Sequence, residues 1–439
     1  MITLKKYQKI PVDFIKNHFG LILFHSTGSG KTITALESMR QFRKDIIVIG
    51  PKSSKKAFRD EIIKLNMEKL DIKLFSYQKI KNLMYDDITL FNDKCVIVDE
   101  AHHLRNETKN NLFLLDLLLS SKKVMLLTAT PIVNYLNDIA PLINLVKQGE
   151  ILPTDRRLFD YFYFDEEKIK ITNEIELAKK IQNSISYHKT DTADKFYPTH
   201  QIKYIKVEMN NEQIQEYVKY IKIIIYKNSP PNIPDLTHID FEVLSKREKN
   251  FFLQSTRQLS NTVSDDHNSP KIRKLYKKLS DGKFPAVVYS NFLKNGIYLI
   301  AKWLHNKKIS YKMITGSTSP DKLSKIVDQY NKRQFKVLLI SSAGSESLDL
   351  KNTRQIHIME PHWNEAKIDQ IIGRSIRYKS HHNLPLPDRN VKIYRWISIF
   401  PKPYINKSAD EYLMDISIKK REIFNVFKQI LIDNSIENK

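Results

Sequence analysis

At 439 residues the chain is long enough for two or three domains of roughly 150 residues, each with its own core. Its 41% hydrophobic and 28% charged residues exclude a disordered or fibrous class, while 72 Lys+Arg against 49 Asp+Glu leave a net charge of +23. That excess suits a polyanionic partner, nucleic acid first; the competing explanation is the abundance of Lys, Ile, Asn and Tyr that A/T-rich coding produces. A single cysteine, Cys95, excludes an internal disulfide scaffold and points to a reducing compartment. No run approaches 18 apolar residues, and the opening MITLKKYQKI has no signal-peptide core, so a soluble intracellular protein is expected.

In chain order, short continuous apolar runs alternate with longer polar stretches of helical character. The first block carries LILFH (21–25), IIVIG (46–50), KLFSY (73–77), CVIVDE (95–100) and VMLLTAT (124–130). A second block carries AVVYS (286–290), YKMIT (311–315), KVLLIS (336–341) and QIHIME (355–360). Continuous rather than alternating runs suit parallel strands covered on both faces by helices, which predicts an α/β fold in two units. Between them the segment 151–275 turns charged and aromatic, with a proline-rich loop NSPPNIPD at 228–235. It reads as a mainly helical insertion and crossing linker, and 401–439 as a helical C-terminal extension.

Chemistry begins directly after the first strand, at HSTGSGKT (25–32). Gly28 and Gly30 let backbone N–H groups curl around phosphate oxygens, Lys31 reaches the β and γ phosphates, and the Thr32 hydroxyl holds Mg²⁺. The loop residues Thr27 to Thr32 thus form the candidate phosphate cradle, and the helix opened by ITALESM adds its positive N-terminal dipole. His25 stands where the G-x-x-x-x-G-K-T pattern starts with glycine.

The strand VIVDEAHHL ends in two carboxylates, at the edge where open α/β sheets bind ligands. Asp99 is the candidate metal ligand, and Glu100 the base that orients and deprotonates the attacking water. Near the C-terminus, DQIIGRSIRYKSH (369–381) places Arg374 and Arg377 three residues apart, a spacing that puts both on one helix face.

These motifs resemble those of superfamily 2 helicases and translocases: DEAH at 99–102 follows TGSGKT, and LKKYQ (4–8) is similar to the motif in which a glutamine, here Gln8, reads adenine. LLTATPIVN (126–134) resembles the motif that links hydrolysis to the nucleic-acid site, with Thr128 and Thr130 at its polar positions. VVYSNF (287–292), ITGSTS (314–319), SSAGSESLDL (341–350) and EPHWNEAKIDQIIGRSIR (360–377) follow the Snf2-like order. STRQLSN (255–261), SPKIRKL (269–275), RYKSH and LPLPDRNVKIYRW (384–396) are similar to the helicase-like ATPases of nucleocytoplasmic large DNA viruses. That group includes poxvirus nucleoside triphosphatase I and the small subunit of the poxvirus early transcription factor. Those viral proteins are usually longer, and Ser345 and Ser347 sit where relatives often carry glycine.

The resemblance implies two RecA-like lobes with parallel sheets, at 1–150 and 276–400, with the helical insertion 151–275 between them and the 401–439 extension after. It implies ATP with Mg²⁺, Gln370 as a further nucleotide contact, and His102 as a relay between lobes. It makes Arg374 and Arg377 the cations that stabilise charge on the transferring γ-phosphoryl group, an effect worth about 10³ to 10⁵ in rate. Gly373 would allow a close approach of backbone or lobe. Nucleic acid, duplex DNA before RNA, would be held through its phosphates near Pro51, Lys52, Thr315, Gly316, Ser341 and Ser342; Trp363 is a stacking candidate that more simply packs. The implied partners are viral RNA polymerase or transcription factor subunits, in host cytoplasm or virion, with no membrane. A strand-separating DNA or RNA helicase, and a transcription subunit with a regulatory ATPase, remain alternatives.

Overall fold

The computed structural model describes residues 3–26, 28–52, 54–165, 170–189, 196–226, 246–263, 269–344, 348–362, 365–402 and 407–438. The loop expected at 228–235, Thr27, Ser345, Ser347 and Trp363 lie outside the described residues. The chain divides into two units, residues 1–192 with 420–439, and residues 193–419.

The first unit is built on strands β1 (Gly20–His25), β2 (Ile46–Gly50), β3 (Ile72–Ser76), β4 (Cys95–Asp99), β5 (Lys123–Thr128) and β6 (Ile185–His188). They form one sheet in the order β3-β2-β4-β5-β1-β6, every pair parallel. The continuous apolar runs have a direct consequence, because alternate residues of each strand feed opposite faces. Ile22, Phe24, Ile47, Ile49, Val96, Val98, Val124 and Leu126 enter one core. Their neighbours Leu21, Leu23, Ile46, Val48, Cys95, Ile97, Met125 and Leu127 enter the other. The thiol of Cys95 is a small buried apolar group there. Helix α1 (Lys6–Phe14) precedes β1, and α2 (Lys31–Arg40) follows it.

The second unit carries β7 (Thr199–Glu208), β8 (Ala286–Ser290), β9 (Tyr311–Ile314), β10 (Val337–Ser341), β11 (Gln355–Ile358) and β12 (Asn390–Ile399). These also form one parallel sheet, β7-β12-β11-β8-β10-β9, with its own core on each face. The long helix Ala409–Asp433 places Ala409 and Leu413 in a small core with Met209 and Tyr217 of the second unit. Its later residues Phe427 and Leu431 belong to a core of the first unit.

Three strands escape the apolar-run criterion, and the reasons differ. β6, ISYH, is only four residues long. β7, THQIKYIKVE, is a sheet edge exposed along most of its length, so its sequence is polar. β12, NVKIYRWISI, buries Arg395 against Glu365 through two 2.6 Å hydrogen bonds, so a charged residue sits inside a core strand. The segment 151–275, expected as mainly helical, holds the helices Arg156–Tyr163, Glu174–Ile181, Asn211–Tyr226 and Lys246–Leu259, and also gives one strand to each sheet.

Candidate active site

The phosphate loop springs from β1 and closes into α2. Gly28 and Gly30 have φ of 79° and 83°, backbone values that suit glycine. At Gly30 the requirement is double, since a Cβ there would stand 2.8 Å from Gln8 Nε2. Gln8 is buried, its Oε1 accepts the Lys5 N–H at 2.9 Å, and its amide reaches Gly30 O at 3.4 Å. The predicted adenine-reading glutamine therefore packs on the loop itself. Lys31 Nζ donates to His25 O at 2.8 Å and Ser26 O at 3.1 Å, so the ammonium rests on the loop's own carbonyls. Ser29 Oγ is buried and finds no partner among the described residues. His25 occupies the last position of β1, where extended backbone needs no glycine; this is why the pattern tolerates its loss.

β4 delivers the two carboxylates. Burial, then the Glu100 charge beside it, pushes the Asp99 carboxyl up to about 6, with Lys31 and a hydrogen bond from Ser54 pulling it back. Lys31 and Asp99 thus share one electrostatic site. Glu100 holds φ 50° and ψ 49°, a left-handed conformation that costs a non-glycine residue about 1 to 2 kcal/mol. Tyr77 braces this turn, its hydroxyl donating to Asp99 O at 2.8 Å and Glu100 O at 3.2 Å. Burial first, and the two carboxylates after, hold the phenol well above its ordinary range.

From Glu100 the contacts lead on to the Thr-containing motif. His102 Nδ1 lies 3.4 Å from Glu100 Oε2 and 3.3 Å from Thr128 Oγ1, and that hydroxyl accepts the Thr130 N–H at 3.0 Å. Asp138 Oδ2 then accepts the N–H groups of Val133 at 2.9 Å and Asn134 at 2.5 Å, fixing the loop that follows. Arg105 Nη1 donates to His102 O at 2.8 Å, so the DEAHHLR turn is held from below. His103 is exposed, stacked on His102 and tilted against Tyr77.

The residues placed in the second unit form a separate group. Gln370 and Arg374 lie on the helix Glu365–Ser375, but Arg377 falls two residues beyond its end, which corrects the expectation of both arginines on one helical face. The helix stops because the Arg377 N–H turns to Ser380 Oγ at 3.2 Å, while Arg377 Nε returns to Gly373 O at 2.9 Å. Arg377 also faces Asp349 at 3.6 Å. The RYKSH tail pins this arginine-bearing turn, since Ser380 and His381 are buried and His381 Nε2 meets Thr353 O at 2.7 Å. A Cβ at Gly373 would meet nothing within 4 Å, so the close approach expected there has no counterpart among the described residues.

Sequence reasoning missed Tyr7, Ser54, Tyr77, Ser186 and Glu437, all of which support the loop or the carboxylates. Their partners lie far away in sequence; only the aromatic next to Gln8 carried any local signal. Among the described residues no three His, Cys, Asp or Glu side chains are grouped to hold a metal by themselves. Thr32 lies in the first turn of α2 and Asp99 at the end of β4, the two positions expected to hold Mg²⁺. Burial and the neighbouring Glu100 charge raise the Asp99 carboxyl, a cost that a bound cation would offset.

Comparison with known proteins identifies the family. The SNF2-related domain model matches residues 45–268, and the helicase conserved C-terminal domain model matches 270–379. A protein of Acanthamoeba polyphaga mimivirus, provisionally named ATP-dependent RNA helicase L538, is 54% identical over 440 residues, covering 100% of this chain and 98% of its own. The African swine fever virus termination factor NPH-I homolog is 23% identical over 96% of this chain and 76% of its own. Nucleoside triphosphatase I of Heliothis armigera entomopoxvirus is 25% identical over 100% of this chain and 79% of its own. Among solved structures, the Pyrococcus furiosus Hef helicase domain shares the fold, with a TM-score of 0.50 at 15% identity over 94% of this chain and 98% of that one. The chain therefore belongs to the SNF2-related, helicase-type enzymes of superfamily 2, which hydrolyse ATP and act on nucleic acid.

Proposed function

We propose that the enzyme couples each ATP hydrolysis to a step along duplex DNA, and that it does so during viral transcription. The observation that carries the coupling is the continuous contact path Glu100–His102–Thr128–Thr130, which ties the water-activating carboxylate of this reading to the backbone of the loop entering Pro131. A change in what Glu100 binds alters the His102 contact and, through it, the loop.

In this reading Gln8, the loop Thr27–Thr32 and Gln370 bind the nucleotide, with Lys31 on its phosphates. Thr32 and Asp99 hold Mg²⁺, whose charge offsets that of the phosphates. Glu100 accepts the proton of the attacking water, and Arg374 and Arg377 supply positive charge as the γ-phosphoryl group transfers. His102, Thr128 and Thr130 transmit the event. The net charge of +23 suits phosphate-backbone binding that tolerates sequence and weakens steeply with salt. Transcriptional context is supported by the name of the African swine fever virus relative, a termination factor homolog, and RNA polymerase or transcription factor subunits are the partners this reading expects. Among the described residues no helix is long and apolar enough to cross a membrane.

A second reading is favoured by the name of the mimivirus relative, which makes RNA the track. ATP turnover with duplex DNA, single-stranded DNA and RNA separates the two, beside Lys31→Ala and Arg374→Ala controls. Duplex DNA is expected to stimulate most, and displacement of a third strand from a triplex to report movement. Stimulation by RNA alone sinks the DNA reading.

A further inference from the structure

His25 lies at the junction of β1 and the phosphate loop, fully buried, in register beside His188 of β6. Its Nε2 stands 2.8 Å from Ser186 Oγ. The Ser186 hydroxyl donates in turn to Glu437 Oε1, and Glu437 Oε2 accepts the Tyr187 N–H at 2.8 Å. A serine hydroxyl has one proton to give, and a carboxylate only accepts. With that proton directed to Glu437, Ser186 Oγ must accept from His25 Nε2–H. The imidazole is thus a neutral Nε2–H tautomer, its Nδ1 a buried acceptor with no partner among the described residues. Burial, aided by the charges of Lys31 and His188, pushes His25 down to about 3 and keeps it neutral. Burial raises the Glu437 carboxyl, and its donors from Ser186 and Tyr187 pull it back.

The ring so held belongs to the residue whose carbonyl accepts Lys31 Nζ. The same layer is extended by Tyr7, which stacks on His188 with ring centroids 3.5 Å apart and donates its hydroxyl to Ser29 O at 2.6 Å. Residue 437 therefore reaches the nucleotide loop through two side chains, across a sequence separation of 251 residues from Ser186.

We infer that Glu437, acting through Ser186, is a positioning residue for ATP binding: it fixes the tautomer and orientation of His25 and so the strand end from which the phosphate loop departs. The inference rests on residues 25–32 being the ATP site. Its consequence is that the extreme C-terminal turn sets nucleotide affinity without touching nucleotide.

The test measures initial ATP turnover against ATP concentration for the full-length protein with saturating nucleic acid, with melting temperature recorded for each variant. Glu437→Gln keeps the shape while replacing one accepting oxygen by a donor. That variant, Glu437→Ala and Ser186→Ala are each expected to raise KM for ATP about fivefold to tenfold with kcat within twofold, the size of one ordinary net hydrogen bond. In a His25→Gly background, which removes the imidazole and restores the usual glycine, Glu437→Ala should leave KM unchanged, because there is no ring left to position. An unchanged KM in all three single variants, with only a lowered melting temperature, makes Glu437 a plain structural anchor and overturns the inference. So does a KM rise that persists in the His25→Gly background. Lys31→Ala distinguishes the two levels: full turnover in that variant removes the ATP-site reading itself, whereas lost turnover leaves it standing however the Glu437 variants behave.

Discussion

Each unit places carboxylates just beyond the ends of buried parallel strands, and treats them differently. In the first, Asp99 closes β4 and Glu100 follows it, and burial together with the Glu100 charge drives Asp99 up to about 6. In the second, the fully buried Glu360 accepts from Ser290 Oγ at 2.7 Å, the Asn291 N–H at 2.9 Å, Asn291 Nδ2 at 3.3 Å and Asn261 Nδ2. Asp410, also buried, meets Lys271 Nζ at 2.9 Å, and that ammonium further donates to Met359 O at 3.0 Å. The first unit thus sets two carboxylates side by side, whereas the second surrounds Glu360 with donors and gives Asp410 a buried ammonium and the Ser398 N–H through its Oδ2. The STRQLSN, SPKIRKL and YSNF motifs contribute Asn261, Lys271, and Ser290 with Asn291 to the second kind of arrangement.

Breaking the first arrangement should cost activity and spare the fold. Glu100→Gln keeps the side chain's size and removes the proposed base, so turnover is expected to fall about 10² to 10⁴-fold. Removing one of two adjacent negative charges also relieves Asp99, so the melting temperature should hold or rise. A steady-state assay beside a thermal melt reads both; a large drop in melting temperature would place Glu100 with the structural carboxylates instead.

Breaking the second should do the reverse. Lys271→Met leaves Asp410 buried without its counter-ion, at a cost of about 3 to 5 kcal/mol in urea denaturation. Joining it with Asp410→Leu should recover much of that loss, since a buried pair exchanged for apolar groups is often close to neutral. A Lys271→Met cost no larger than that of an exposed pair would mean water reaches the site.

Histidine supplies a pH test of the same contrast within the second unit. His357 in β11 is fully buried, accepts the Trp396 Nε1–H at Nδ1 at 3.3 Å, faces Gln355 Oε1 at 3.3 Å through Nε2, and is driven down to about 3 by burial and then by Lys278. Its folded pKa lies below the unfolded value of 6.5, so the unfolded chain binds the extra proton. The stability this neutral ring contributes is complete above pH 6.5 and is lost as pH falls from there toward 3. One such group changes stability by up to about 1.4 kcal/mol per pH unit in that window, and His357→Gln should flatten the acid limb of the denaturation profile by that amount.

Much of this was readable from the chain where local geometry dictates residue type. Gly28 and Gly30 announce themselves because only their φ values close the loop, and Asp99 with Glu100 because they terminate an apolar strand. Nine of the strands coincide with apolar runs: seven are buried along nearly their whole length, while β3 and β9 at the sheet edges are only partly buried. What escaped depends on distance along the chain: Ser186 meets His25 across 161 residues, and Arg395 tolerates burial because Glu365 is 30 residues away in sequence yet bidentate in space. Arg377 was misplaced by a third cause, since helix periodicity cannot register that Ser380 captures its N–H.

The smallest effect sharpens the comparison at the arginines. Gly373 lies in the last turns of the helix Glu365–Ser375, and a methyl group there would meet nothing within 4 Å. Helical glycine costs about 0.5 to 1 kcal/mol relative to alanine through the freedom of the unfolded chain. Gly373→Ala is therefore expected to raise the urea midpoint by the equivalent of that amount, because nothing in the described structure opposes it. Turnover decides what the glycine is for. Within twofold of the parent, it is a neutral occupant of an open helix face, as the expected result has it. A gain in stability joined to a loss of turnover would instead show that the face beside Arg374 must admit something closely during catalysis, and would move Gly373 from the structural residues to those the working enzyme needs.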